Sequence, residues 1–491
     1  MKLMSFAMLC AAVFGMTAAH AAVPGIKGAA GSITPAFALT AAPGYNSQPD
    51  GAQIYVWGYG CTSAPVMQTF TGAGPAPKCP AMQMPGPTLI VNEGDTVSVT
   101  LTNRLPAIAG NASIVFPGMG TVTTSGGTAG LMTREATPAL PVTYTFKATK
   151  PGTYAYYSGT QPDLQIEMGL FGAIIVKPTA VQVACRPLGT TLAGVAGETD
   201  SRLAPSAYNN PDTCYDREYL FQFSEMSSKV HDDVLSQVQA CPTAPCPQAT
   251  AVLEPYRPNY FLINGRSMPD LMDTPFAVAY PGQPYNGNPH MHPGEKLLMR
   301  VVGQGRLQHP FHFHGNHARV LARDGNMLLS AADNKSLAGP LLFTIPTVSG
   351  QSVDAIFTWS GKGLNWDVYN HVAGDRSVCT PDASGFHSVK TDPNYGEWCA
   401  DHGKPIPVTP PDPQIVANGQ WYGGTPYLGL GGGFNSVNLP PGTLNQNPGA
   451  GYAYMWHSHN EREITTNDVF PGGLMMMLII DPPQWIIDET Q

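Results

Sequence analysis

The chain has 491 residues with a formal net charge of −9 at pH 7, and only 12% of its residues are charged. The charges are spread along the sequence without a basic stripe, which argues against nucleic acid or an anionic membrane as a partner. Its 53 glycines and 48 prolines exceed average usage without reaching that of a disordered chain, so many short strands and turns are expected.

Residues 1–21 have the pattern of a secretory signal peptide. Lys2 supplies a positive start, the segment 3–19 is almost wholly apolar, and residues 19–21 (Ala-His-Ala) have the small-x-small form of a cleavage site. No later segment reaches the ~18 consecutive apolar residues of a membrane span. The sequence therefore predicts an exported protein, periplasmic or secreted, without a membrane span.

The cysteine count agrees with export. Cys10 lies inside the predicted signal peptide, which leaves eight cysteines, and an even number in an oxidising compartment suggests disulfides. Spacing does not fix the connectivity, and pairing of sequence neighbours is the working hypothesis: Cys61–Cys79, Cys185–Cys214, Cys241–Cys246 and Cys379–Cys399. None of the eight stands beside a histidine in a metal-ligand pattern, so all are predicted to be structural.

Residues 46–178 predict a first β-sandwich domain without a long helix. Short runs rich in β-branched and aromatic residues are bounded by turn residues, as expected for strands. The predicted strands are 53–57, 88–91, 95–101, 142–146, 152–157 and 172–176. The loose segment 179–214 then reads as a linker.

Residues 215–481 predict a second sandwich that repeats the first. Segment 293–301 matches 93–101, with a glycine and an acidic residue opening the strand in both. Two copies of one β-sandwich are the simplest account. An insertion at about 360–451, rich in Gly, Pro and Asn, is expected to be functional or stabilised by its own disulfide, since long loops in compact domains usually are.

Two short segments contain 6 of the 13 histidines: His309, His312, His314 and His317 in the first, His457 and His459 in the second. In an extended strand residues i and i+2 share a face, so each His-x-His pair can converge on one point. Four neutral imidazoles suit copper, zinc, iron or nickel better than magnesium or calcium. His309 and His317 are either ligands themselves or residues that orient a ligand through its other ring nitrogen.

These His motifs, together with Gly94-Asp95-Thr96-Val97, Gly152-Thr153-Tyr154 and Met168-Gly169-Leu170-Phe171-Gly172, resemble the multicopper oxidase family over about residues 45–481. The resemblance implies an all-β fold of two cupredoxin-like Greek-key β-sandwich domains, and copper as the cofactor. In that family, His-x-His pairs from two domains hold a trinuclear copper cluster that reduces oxygen to water. A mononuclear copper, bound by Cys, two His and often Met, supplies the electrons.

The chain departs from this family pattern at two places. The first-domain histidines are replaced by Val115, Pro117, Tyr157 and Gly159. The family's cysteine is replaced by Ser458 and one of its histidines by Glu463, and serine cannot provide the soft thiolate of the mononuclear site. The resemblance therefore leaves four cluster ligands, with His309 at a mononuclear-site position: His312, His314, His457 and His459.

Three functions fit these observations, in the following order. The first is a copper-dependent oxidoreductase with a mononuclear or dinuclear site, alone or completed by a second copy of the chain, with dioxygen and an unknown reductant as partners. The second is an exported copper carrier or store, to which Met268, Met272 and Met475–Met477 could add soft Cu(I) ligands, although core packing is the commoner role of methionine. The third is a structural protein that kept only the fold.

Overall fold

The computed structural model describes residues 23–28, 33–65, 77–180, 182–190, 198–363, 379–389, 396–402, 420–422, 451–481, 486–487 and 489. The predicted signal peptide and most of the predicted insertion at 360–451 lie outside these residues. Within them, no helix is both long and apolar enough to cross a membrane.

The described part of the chain is built mainly from short strands. Those of the first half are β1 (Ile26–Lys27), β2 (Ala36–Ser47), β3 (Gln53–Cys61), β4 (Leu89–Asn92), β5 (Thr96–Asn103), β6 (Thr123–Gly126), β7 (Thr128–Ala129), β8 (Arg134–Glu135), β9 (Val142–Lys147), β10 (Gly152–Tyr157) and β11 (Phe171–Lys177).

The strands of the second half are β12 (Arg217–Met226), β13 (Tyr260–Ile263), β14 (His290–Met291), β15 (Lys296–Gly303), β16 (His309–Phe313), β17 (Ala318–Arg323), β18 (Asn326–Met327), β19 (Leu341–Leu342), β20 (Thr344–Thr347), β21 (Ser352–Thr358), β22 (Gln420–Tyr422), β23 (Gly451–Ser458) and β24 (Met475–Ile480). The helices are α1 (Pro162–Gln165), α2 (Ser228–Ala240) and the 3-10 turns Ala107–Ala109, Pro211–Thr213, Asp270–Met272 and Glu461–Ile464.

The first half folds into two sheets with spatial orders β1-β4-β11-β10 and β3-β2-β5-β9-β6. Strands β5 and β9 alternate inward apolar and outward polar residues. On β5, Val97, Val99 and Leu101 are fully buried, whereas their neighbours are partly or fully exposed. This period of two is what a sheet with one buried face requires, and it closes a core that includes Trp57 and Tyr156.

The second half repeats this architecture. Its sheets have the orders β13-β12-β15-β21-β17-β18, with β19 beside β17, and β14-β24-β23-β16-β20, with β22 beside β23. The parallel pairing of β12 with β15 repeats that of β2 with β5. Phe311, Phe313 and Trp456 lie in the core between the two sheets. The all-β class with two cupredoxin-like sandwiches is confirmed.

All four disulfides predicted from neighbouring cysteines are confirmed, namely Cys61–Cys79, Cys185–Cys214, Cys241–Cys246 and Cys379–Cys399. Helix α2, in contrast, was not anticipated. Val230 and Val234, one turn apart, enter the core of the first sandwich although they lie within the proposed second domain. Strand β2 also begins before residue 46, so the proposed domains at 46–178 and 215–481 do not enclose each core completely.

The two sandwiches contact each other through a buried polar cluster. Asp354 on β21 accepts hydrogen bonds from the backbone N–H of Thr153 at 3.2 Å, from its hydroxyl at 2.7 Å and from the Tyr208 hydroxyl at 2.5 Å. Arg300 on β15 donates to the Thr153 hydroxyl at 3.1 Å. One carboxylate of the second sandwich thus satisfies buried donors of Thr153 in the first sandwich and of Tyr208 in the segment between the two.

Candidate metal centre

Strands β16 and β23 run antiparallel and bring the two His-x-His motifs together. His312 is directly opposite His457 in the register, and opposite residues of a sheet point to the same face. His314 follows the end of β16, and Gly315 then turns the chain with φ +101°, a conformation that side-chain-bearing residues rarely adopt. Strand pairing therefore places four imidazoles on one face, His312, His314, His457 and His459.

The imidazole nitrogens lie at ligand distances from one another. Those of His312, His314 and His457 all fall within 4.8 Å, and the Nε2 atoms of His314 and His457 are 3.4 Å apart. Two nitrogens bound about 2.0 Å from one tetrahedral ion would be separated by roughly 3.3 Å. The ring of His459 is 4.8 Å from that of His312, centroid to centroid. His312, His314 and His457 are thus close enough to hold one ion, and the ring of His459 lies beside that of His312.

Hydrogen bonds orient two of these rings. The Nδ1 of His457 is 2.7 Å from the backbone carbonyl of Ser458, which can only accept, so the proton lies on Nδ1 and the Nε2 lone pair is free. The Nδ1 of His312 is 2.8 Å from the Thr344 hydroxyl on the neighbouring β20. Contacts of this kind fix the tautomer of metal-binding histidines.

The site also favours neutral imidazoles. Burial and, after it, the neighbouring histidines lower the pKa of His312 to about 4. Burial lowers the pKa of His314 and of His457 as well. Only a neutral imidazole can donate its lone pair to a metal. His312, His314 and His457 are therefore in their metal-binding protonation state at neutral pH, and their all-nitrogen donor set fits copper.

Residues 80–181 match the family model described as multicopper oxidase. Over 98 residues the chain is 38% identical to Laccase 1 of Metarhizium acridum, an alignment that covers 20% of this chain and 15% of that protein. Residues 80–181 are thus similar to multicopper oxidases, and the chain spans about 15% of the length of the relative that it matches.

Two further proteins and one solved structure are also similar to this chain. The chain is 36% identical over 97 residues to L-ascorbate oxidase of Nicotiana tabacum and 37% identical over 93 residues to copper resistance protein A of Escherichia coli. These alignments cover 19% of this chain and 16% and 14% of those proteins. The blue copper oxidase structure from Nitrosomonas europaea is similar at 16% identity with a TM-score of 0.45, covering 90% of this chain and 85% of that chain.

His309, proposed from sequence as a further metal ligand, has a different role in the structure. His309 is three residues before His312 on β16, so its side chain points to the opposite face of the strand, into the core. Both ring nitrogens are engaged, Nδ1 at 2.9 Å from Glu463 and Nε2 at 3.0 Å from Glu225. In this arrangement both ring nitrogens of His309 face carboxylates, and neither is directed at the other histidines.

Electrostatics explain the state of His309. Its side chain is fully buried, and burial alone would lower its pKa. The hydrogen bonds with Glu225 and Glu463 outweigh this and raise the pKa to about 9. His309 is thus a buried cation between two carboxylates at neutral pH.

At the positions that correspond to the family's mononuclear copper site, the side chains hydrogen-bond to one another. The Ser458 hydroxyl donates to Glu463, which also accepts from the Asn460 amide at 2.9 Å and contacts His309. The three positions identified by the resemblance do meet in space, but as serine, glutamate and histidinium. This set has no sulfur ligand and no free imidazole, and it does not fit a blue copper site.

In the first sandwich, three of the positions at which the resemblance expects histidines also lie side by side. Val115 and Tyr157 pair through backbone hydrogen bonds of 2.8 and 3.3 Å. Gly159 lies against Val115, since a side chain added there would meet Val115 at 2.8 Å and the Ser113 hydroxyl at 3.2 Å. The positions come together, but they carry an apolar side chain, a phenol and no side chain at all.

The remaining histidines of the described segments lie outside the cluster. His317 is exposed and packs against Phe343 with ring centroids 5.1 Å apart. His290 and His292 hydrogen-bond to Asp481 and Glu198 at 2.6 and 2.8 Å. Thr344 is a site residue that sequence reasoning missed, because nothing local shows that β20 pairs with β16.

Proposed function

We propose that His312, His314, His457 and His459 bind copper and that the protein is an exported copper-dependent oxidoreductase lacking the mononuclear copper. The observation that carries this proposal is the convergence of neutral imidazole nitrogens within 4.8 Å on one sheet face. Copper held there would supply one-electron redox chemistry and a binding position for dioxygen. The chain itself holds the rings in place through Thr344 and the Ser458 carbonyl.

Electrons would have to enter this site directly. In the family a thiolate-bound copper collects them, whereas here Ser458 and Glu463 occupy that place. His459 is exposed and His312 and His314 are partly exposed, so a small reductant can approach the imidazoles themselves. The names laccase and ascorbate oxidase among the relatives suggest a phenolic or enediol reductant.

The presence of Ser458 and Glu463 at the place of the thiolate-bound copper also favours a second function. A copper carrier or store needs the histidine cluster but no electron entry, and the buried group of Glu225, His309 and Glu463 has replaced the electron-accepting copper. The four disulfides support export in either case, because such bonds persist in oxidising compartments.

Oxygen uptake by the copper-loaded protein separates these functions. We expect uptake with ascorbate or a diphenol as reductant, and loss of that uptake in His312→Ala/His459→Ala. His317→Ala, which removes an exposed histidine outside the cluster, is the matched control and should behave as wild type. Stable copper binding with no uptake under any reductant would favour the carrier or store.

Two alternative assemblies around the site are consistent with this proposal. Either the four imidazoles form a small site in one chain, or a two-fold axis brings a second set opposite the first, as symmetric self-association allows. Light scattering during copper titration decides between them. A monomer that carries one copper excludes a shared cluster, whereas an oligomer that loses copper per chain on dissociation supports it.

A further inference from the structure

Three methionines lie on the same sheet face as the histidine cluster. His457 on β23 is directly opposite Met475 on β24, and Met455 on β23 is directly opposite Met477. Opposite residues share a face, and so do residues two apart along a strand. The row His312, His457 and Met475 thus crosses three strands, with Met455 and Met477 forming the next row.

The three methionines lie outside the packed centre of the second sandwich. Met476, between Met475 and Met477, points the other way and is fully buried in the core of the second sandwich. Met455 and Met477 are partly exposed, whereas Met475 is buried at 7% exposure. None of the three belongs to a core cluster of the described residues. Core packing, the usual role of methionine, therefore does not explain Met455 and Met477.

The outer face of an antiparallel sheet normally carries polar residues. Here the outer face of β23 and β24 carries imidazoles followed by thioethers. Thioether sulfur is a soft, neutral donor that selects Cu(I), whereas imidazole accepts both copper oxidation states. The arrangement places ligands for the reduced ion directly beside ligands for the oxidised ion.

We propose that Met455, Met475 and Met477 form a cuprous-ion site next to the histidine cluster, with His457 at its border. Side chains directly opposite each other on antiparallel strands have Cβ atoms about 4.5–5.5 Å apart. Methionine has three rotatable bonds, so sulfurs at that spacing can converge on one ion. The inference depends on the proposed function only in taking copper as the metal.

A fourth thioether lies at the edge of this face. The Sδ of Met272 is 3.3 Å from the backbone nitrogen of Met477, whose N–H it accepts. Met272 also packs against the core of the second sandwich. Of the methionines grouped from sequence, Met272 thus contacts Met477, while Met476 belongs to the core.

The test is Cu(I) binding under anaerobic conditions in competition with a chromophoric Cu(I) chelator. The variant is Met455→Leu/Met475→Leu/Met477→Leu, because leucine keeps the volume and removes the sulfur. The matched control replaces three methionines outside β16, β23 and β24, Met82→Leu/Met132→Leu/Met327→Leu. X-ray absorption of the Cu(I)-loaded wild type reports sulfur ligands without depending on the folding of any variant.

We expect Cu(I) affinity to fall at least roughly tenfold in the site variant and to stay unchanged in the control, with Cu(II) stoichiometry unchanged in both. A sulfur shell around Cu(I) in the wild type should disappear in the site variant. Unchanged Cu(I) affinity in the site variant, or Cu(I) without sulfur ligands in the wild type, would overturn the proposal. A wild type that binds no Cu(II) would instead overturn only the histidine site.

Discussion

At position 309 a histidine lies between two carboxylates, 2.9 Å from Glu463 and 3.0 Å from Glu225. The backbone N–H groups of Arg306 and Leu307 also donate to Glu225, at 2.7 and 2.9 Å. The carboxylate thus has partners on both oxygens. A buried cation in such a network stabilises the fold only while it remains protonated.

This gives a pH-dependent prediction. The pKa of His309 is about 9 in the folded state and near 6.5 when unfolded. Its contribution to stability is therefore complete below about pH 6.5 and is lost as the pH rises through about 9. We expect Glu225→Gln to lower the free energy of unfolding by about 3 kcal/mol near pH 6.

The difference between wild type and Glu225→Gln should shrink toward about pH 10, as His309 loses its proton. Urea unfolding of both proteins at several pH values measures it. Glu461→Gln, which changes an exposed carboxylate on the same 3-10 turn as Glu463, serves as the control. A difference that stays constant across this pH range would show that His309 is not the titrating group.

The colour of the copper-loaded protein follows from two residues. Ser458 donates its hydroxyl to Glu463 where the family has a thiolate ligand. The eight cysteines of the described chain are all in disulfides. We therefore expect no intense thiolate-to-copper absorption band in the oxidised protein. Visible absorption spectroscopy tests this, and a strong band would mean that a cysteine is free to bind copper.

Residue-level prediction from sequence succeeded where spacing alone carried the information. The period of two along a strand predicted that His312 and His314 share a face and that His457 and His459 do as well. The pairing of His312 with His457 in the sheet agrees with this. The same period places His309 on the other face, but its position in the family motif suggested a ligand. The two carboxylates that engage it are 84 and 154 residues away in sequence, which no local pattern reveals.

At the scale of elements, strands with strict alternation were predictable and irregular ones were not. Residues 96–101 alternate clearly and form most of β5. Strand β2, with several Ala, Gly and Pro residues, lacks that signal and was missed. Helix α2 also escaped notice, although Val230 and Val234 have helical spacing and Lys229 pairs with Asp233 at i, i+4.

The disulfides offer a test at this scale. Cys61–Cys79 spans 18 residues and joins the end of β3 to a loop, whereas Cys241–Cys246 spans only 5. Since the stabilisation grows with the closed loop, removing the first should cost about 3 kcal/mol and the second about 2 kcal/mol. Denaturant unfolding of Cys61→Ala/Cys79→Ala and Cys241→Ala/Cys246→Ala compares them. A larger loss from the short loop would contradict this account.

The stability of the whole molecule depends on contacts between its two sandwiches. The hydrogen bonds of Asp354 are the clearest of these contacts. Asp354→Ala would leave Thr153 and Tyr208 with buried donors lacking their acceptor, at a cost of about 3 kcal/mol. We expect calorimetry to show a melting temperature lower by roughly 3 °C. Asp232→Ala, an exposed position on α2, is the control and should leave the transition unchanged. An unshifted transition in Asp354→Ala would refute the role of this contact.

The central claim is that four imidazoles from two distant strands form the copper site of this chain. Copper per chain, measured by elemental analysis after loading and removal of free metal, tests it most directly. Wild type and His317→Ala should retain the same copper content, and His312→Ala/His459→Ala should lose most of it. Full copper retention by the double variant would contradict the assignment.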